Sequence, residues 1–222
     1  MAEKSFSKYK GGYNYMIIKQ IFHKLYLLIC SLVVLHGTIL IMSRQTGSFD
    51  VGAFRAYTVL SNYLVVIGFI LMLVLYNSKS KIRSYISVSV LVSISVTGLV
   101  YNLVLVPVMP EAEMVFSYYS NFVTHLFSML LALFNYFFFE KKGTLTFKHI
   151  LAGMVFAIVY WIVFVSIGEK INYFPYFFMN HTEIGWGMTF IWFGIIIAVI
   201  AVLGFMLVLF DKFRGRKNQE RH

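Results

Sequence analysis

The chain has 222 residues, 59% of them apolar and only 13% charged, with a mean hydropathy of +0.77 and a formal charge of +10. That balance excludes a water-soluble domain, in which roughly a quarter of the residues are charged. The charges sit in short runs between long apolar stretches and form no single basic face, which excludes nucleic acid as the reason for the positive balance and points to anionic membrane lipid as a partner.

A window of about 19 residues finds stretches that can cross about 30 Å of hydrocarbon as helices. Residues 1–24 form a basic segment with Lys4, Lys8, Lys10, Lys19 and Lys24. It lacks the short apolar core and small-residue cleavage site of a signal peptide. The first span is 25–42; its lone Cys30 offers neither a disulfide framework nor a thiolate cluster. The second, 56–76, follows the connection SRQTGSFDVGAFR, and Lys79, Lys81 and Arg83 separate it from the third, 84–108, which Pro107 and Pro110 end. The fourth is 115–139, and Lys141, Lys142 and Lys148 lead to the fifth, 149–168. The loop EKINYFPYFFMNHTEIGW, with Pro175 among Tyr and Phe, reads as an aromatic interfacial anchor before the sixth span, 187–210. The tail 211–222 carries Lys212, Arg214, Arg216, Lys217 and Arg221.

The expected fold is an all-α membrane protein, one bundle of six transmembrane helices over residues 25–210 with no second domain. The alternating strands of a barrel are not seen. At one end of the bundle the basic residues are few, Arg44, Arg55 and Lys170, against Asp50, Glu111, Glu113, Glu169 and Glu183. By the positive-inside rule both termini are cytoplasmic.

Buried polar residues carry the functional question. Arg55, Thr58 and Asn62 share a face of the second helix by spacing, as do Asn121, His125 and Ser128 in the fourth, while the third offers Thr97, Tyr101 and Asn102. At 1.5 Å per residue, Thr58, Asn102 and Asn121 lie roughly 27 to 29 Å from the cytoplasmic ends of their helices, and Asn62 and His125 near 22 Å. They form one layer in the outer half of the bundle. Uncompensated polar groups are costly in hydrocarbon, so His125 faces inward.

Three readings of the layer stand side by side. Asn and Thr bond across helices as glue for about 0.6 kcal/mol each, and a neutral imidazole can join them. His36, at a similar depth, makes ligation of a metal or haem conceivable, but Zn needs three or four ligands and no embedded Asp, Glu or Cys completes a set. A neutral imidazole can also take the proton of a threonine hydroxyl, and Thr58 with His125 is the pair this counting places on inward faces of different helices. Thr38 points away from His36, two positions earlier on one helix. His149 and His181 read as solvated rim residues, and His23 and His222 as residues of the tails.

The segments FRAYTVLSNYLV, YNLVL, SNFVTHLFSMLLALFNYFF and YFPYFFMNHTEIGWGMTFIWFG resemble the androgen-induced-gene family and its bacterial six-helix relatives. The resemblance covers nearly the whole chain in span count and loop pattern. It implies hydrolysis of fatty acid esters of hydroxy fatty acids by an intramembrane Thr and His, with no metal or other cofactor. The family threonine matches Thr58 and the family histidine matches His125. Asn121 matches the asparagine one turn before that histidine; Phe122 stands where the animal members have a second histidine, and Leu126 where they have a small hydroxyl residue.

The expectation is a Thr/His lipid esterase whose substrate is a lipophilic ester. Asn62, Asn102 or Asn121 would serve as oxyanion donors or orienting groups, and Arg55 would hold a substrate carboxylate. The compact chain and the closer relatives point to a bacterial-type cytoplasmic membrane. The alternative is a non-enzymatic transporter or receptor with a polar binding site around His125.

Overall fold

A computed structural model describes residues 2–43, 47–78, 81–108 and 118–219, with the backbone alone at 2–15 and 218–219. Its regular structure is helical, with no strand among the described residues. The helices are α1 (Ala2–Ser43), α2 (Tyr57–Val74), α3 (Ile82–Val108), α4 (Tyr119–Phe139), α5 (Phe147–Gly168) and α6 (His181–Gln219). All six contain a stretch long and apolar enough to cross a membrane. Large apolar side chains point outward as well as inward, among them Ile29, Ile67, Phe138, Ile162 and Phe205, while Val65, Phe69, Ile94 and Ile200 are fully buried. A bundle greasy on both faces is solvated by lipid. The architecture is that of a multi-pass membrane protein.

Helix α3 is the most enclosed of the six and packs against α2, α4 and α5; α6 is the least enclosed, resting on α5 and touching α3. The first helix begins at Ala2, so most of the segment 1–24 is helix continuous with the first span. Arg44, Lys79, Pro110, Glu111, Glu113, Arg221, His222 and positions 115–117 of the fourth predicted span lie outside the described residues, as do the side chains of Lys4, Lys8 and Lys10.

Two helices carry one π-helical turn each, Tyr101–Leu105 in α3 and Val123–Phe127 in α4. Pro107, expected to end the third helix, lies inside its last turn. It has no N–H and its ring crowds the carbonyl four residues back, a conflict that the widened turn just before it accommodates.

Arg55 is not on the face of α2. Asp50 accepts a hydrogen bond of 2.7 Å from the Gly52 N–H and starts a 3-10 turn, Val51–Arg55; Ala56 is then extended, and α2 begins only at Tyr57. The Arg55 guanidinium is exposed and lies 5.1 Å from the Tyr173 ring centre.

Three histidines expected in tails or at solvated rims are buried. His23 Nε2 is 2.9 Å from Asn135 Oδ1, and its ring stacks on Phe139 at 4.0 Å. His149 completes a capping box with Thr146 at the start of α5 and reaches Ser84 Oγ at 3.0 Å. His181 stacks on Trp186 at 3.9 Å, with Glu169 3.5 Å away. Each imidazole is flat enough to stack on an aromatic ring and still offers its polar edge to a partner. Position near a span end therefore does not imply solvation.

A polar layer closes the end of the bundle that carries the termini. The fully buried Asp211 of α6 accepts from Tyr136 Oη and from the Leu145 N–H, both at 2.8 Å. Arg83 pairs with Glu140 at 3.1 Å, and Lys142 donates to the carbonyls of Tyr136 and Glu140. The carboxyl of Asp211 thus fastens α6 to α4 and to the loop that precedes α5.

Candidate active site

Thr58 is the second residue of α2, on the first turn, where backbone N–H groups lack intrahelical partners. The Tyr57 N–H donates to Tyr176 Oη at 3.1 Å, so the aromatic loop before α6 is tied to this helix end. That contact sets the Tyr176 hydroxyl beside the start of α2, one residue from Thr58, and burial raises its pKa above that of an ordinary phenol, so it keeps its proton.

His125 lies in the π turn of α4 and is buried. Its Nε2 is 3.3 Å from Thr58 Oγ1. Its Nδ1 is 3.2 Å from the Asn121 carbonyl oxygen and 3.2 Å from Thr124 Oγ1. A carbonyl only accepts, so Nδ1 carries the hydrogen and Nε2 presents its lone pair to Thr58. Thr124 gives its own proton to the Ser120 carbonyl at 2.7 Å and can accept from the same Nδ1–H. Asn121, expected as a possible orienting residue, orients the ring through its backbone rather than its side chain. The Tyr101 ring stacks on the imidazole, with centres 3.5 Å apart at 21°.

The neighbouring asparagines are committed to backbone. Asn62 donates to the carbonyls of Thr58 at 2.8 Å and Thr124 at 2.9 Å. Asn102 donates to the carbonyls of Gly98 at 2.7 Å and His125 at 3.4 Å. Thr124 and His125 lie inside the π turn, where the ordinary i to i−4 ladder is interrupted, and these amides satisfy their carbonyls. With both amide hydrogens so engaged, neither asparagine is free to serve as an oxyanion donor in this arrangement. The Asn121 amide reaches Tyr101 Oη at 3.4 Å.

Small residues let the helices close around this turn. A Cβ at Gly98 of α3 would lie 2.9 Å from the His125 carbonyl oxygen, and one at Gly37 of α1 would lie 2.5 Å from Val123 Cγ1. Close backbone approach at glycine is the usual means of packing helices in lipid.

Thr58 forms part of the wall of a small recess, shared with Thr97, Tyr101, Tyr160, Trp161 and Tyr176. Its wall mixes the hydroxyl-bearing residues Thr58, Thr97 and four tyrosines with apolar side chains; Thr97 bonds Ser61 at 2.6 Å. Thr58 thus lines the recess while its hydroxyl meets the imidazole of His125. His36 is exposed, its ring 5.6 Å from that of Tyr119, and among the described residues no group of three or more His, Cys, Asp or Glu comes together to hold a metal.

Sequence spacing put Thr58 and His125 in one polar layer, and the structure places them in contact. It did not reach Tyr176 or Thr124. Tyr176 sits in an aromatic loop far along the chain, and its only signal was the resemblance of YFPYFF. No protein-family model, curated protein or solved structure matches this chain.

Proposed function

We propose that the protein is an intramembrane hydrolase that cleaves a lipid ester through an acyl-threonine intermediate, as the resemblance to the androgen-induced-gene family implies. One observation carries the reading: the hydroxyl of Thr58, a residue that lines the recess, lies 3.3 Å from an imidazole nitrogen whose opposite nitrogen is held by a backbone carbonyl. Hydroxyl, base and orienting acceptor are the parts a nucleophile needs, and the third part need not be an acid.

His125 Nε2 takes the Thr58 proton as Oγ1 bonds to the ester carbonyl carbon, and the carbonyl electron pair moves to oxygen. The oxyanion collapses, the ester C–O bond breaks, and the alcohol leaves with the proton from Nε2. Water then attacks the acyl-threonine with the same histidine as base, releasing the fatty acid and restoring Thr58. The Tyr176 hydroxyl, which lines the same recess beside the start of α2, is the donor assigned to the oxyanion, since Asn62 and Asn102 are engaged elsewhere. The Tyr101 face favours the imidazolium that forms between the two proton transfers. Exposed Arg55 is suited to a substrate carboxylate at the membrane surface.

By the distribution of basic residues, both termini lie in the cytoplasm and the Thr58 site in the outer half of a bacterial-type cell membrane. The test is fluorophosphonate labelling of the purified protein, wild type, Thr58→Ala and His125→Ala, with the modified residue mapped by mass spectrometry. An adduct on Thr58 that is lost in both variants supports the reading. A folded protein that does not label overturns it, and a binding or transport role for the layer then takes its place.

A further inference from the structure

Beside the Thr58 recess lies a second, apolar one between α3 and α6. The two share a wall made by Val96, Val100, Phe178 and Ile196. Val96 and Phe178 of this wall are buried, and Val100 and Ile196 are half-buried. The far side of the second cavity is formed by Leu103, Ile195 and Val199, which are 69%, 47% and 38% exposed. All three lie on membrane-spanning helices, so their exposed faces meet acyl chains and not water. Leu103 also belongs to the π turn of α3 that places Tyr101 on His125, so one widened turn serves both the site and the slot.

The geometry points to an acyl-chain slot: the ester substrate comes sideways from the bilayer between α3 and α6, its hydrocarbon chain lies in the second cavity, and its carbonyl end reaches the Thr58 cavity. This rests on the hydrolase reading for the carbonyl end, while the chain-binding part stands on the slot alone. The occupant is a hydrocarbon because the slot is lined by Val, Leu, Ile, Phe and Trp. The occupant belongs to the ester and not to a bulk phospholipid because the recess across the shared apolar wall carries the hydroxyl-bearing residues Thr58, Thr97 and Tyr176.

Two measurements test it on the full chain. In the first, a long-chain fatty acid carrying a mid-chain diazirine is photolysed with purified Thr58→Ala, which lacks the nucleophile. Adducts should map to peptides containing Leu103 and Val199. Labelling should fall at least fivefold in Val199→Trp and in Leu103→Trp, each read in the Thr58→Ala background, but not in Val202→Trp, a lipid-facing control outside the slot. Adducts spread over the outer faces of α1 and α5, or displaced as well by phosphatidylcholine as by a long-chain ester, would overturn the slot.

In the second, p-nitrophenyl esters of short and long acyl chains are compared. Val199→Trp should lower the ratio of long- to short-chain turnover at least tenfold. An unchanged ratio in an active enzyme sinks the slot and leaves the hydrolase reading intact. Cross-linking in the slot with no turnover of any ester sinks the hydrolase reading and leaves the slot.

Discussion

Two polar layers are buried in this bundle, and they differ in what their groups face. Around Asp211, each carboxyl oxygen meets a donor, His23 meets Asn135 and Arg83 meets Glu140, so each of these groups is paired within the protein. Around Thr58 the carbonyls are satisfied by Asn62 and Asn102, and the Thr58 hydroxyl meets His125 at the wall of a recess. The first arrangement joins helices through acid, phenol and ion-pair contacts. The second sets a hydroxyl against an imidazole beside a recess, the arrangement on which the proposed hydrolase reading rests.

The contrast can be broken by experiment, starting with the largest effect. Thr58→Ala and His125→Ala should each reduce ester turnover by about 10³ or more, with thermal unfolding in detergent nearly unchanged. Loss of stability in proportion to loss of turnover would make the two layers alike. Tyr176→Phe removes one donor to the oxyanion and should cost about 10² in kcat with KM little changed, as steady-state kinetics would show. Gly98→Ala pushes a methyl against the His125 carbonyl; a shift well under 1 Å should cost about tenfold in kcat, and overpacking about 1 to 3 kcal/mol, read by chemical denaturation.

At the other end, Asp211→Asn should leave Thr58 labelling per folded molecule unchanged while lowering stability by about 1 to 3 kcal/mol, since one of two buried donors loses its acceptor. His36→Ala, on an exposed face, should change neither quantity; a loss of activity there would bring ligand or metal chemistry back into consideration.

Hydropathy alone made the six apolar helices legible, because lipid imposes continuous apolar length on each. Axial rise put Thr58 and His125 in one polar layer, about 6 Å apart in depth, and their contact at 3.3 Å came only with the packing of α2 on α4. Arg55 was misread because an Asp50-capped 3-10 turn precedes α2, and hydrophobic periodicity does not mark where a helix starts. His23, His149 and His181 were misread because span ends were equated with water, although aromatic neighbours enclose them. The π turns have no compositional signature: VTHLF and YNLVL suit an α-helix equally well, and what sustains the turn in α4 comes from Asn62 and Asn102 on other helices. Tyr176 depends on a contact 119 residues away in sequence, which no local pattern encodes.

The acceptor that steadies His125 is the main-chain oxygen of Asn121. A main-chain oxygen survives every side-chain substitution, so on the hydrolase reading an alanine scan of this site would return no residue that orients the histidine. A search for side-chain triads would pass over the molecule for the same reason. Only a backbone replacement, such as an ester in place of the amide that follows Asn121, would weaken that acceptor and expose its part in the reaction.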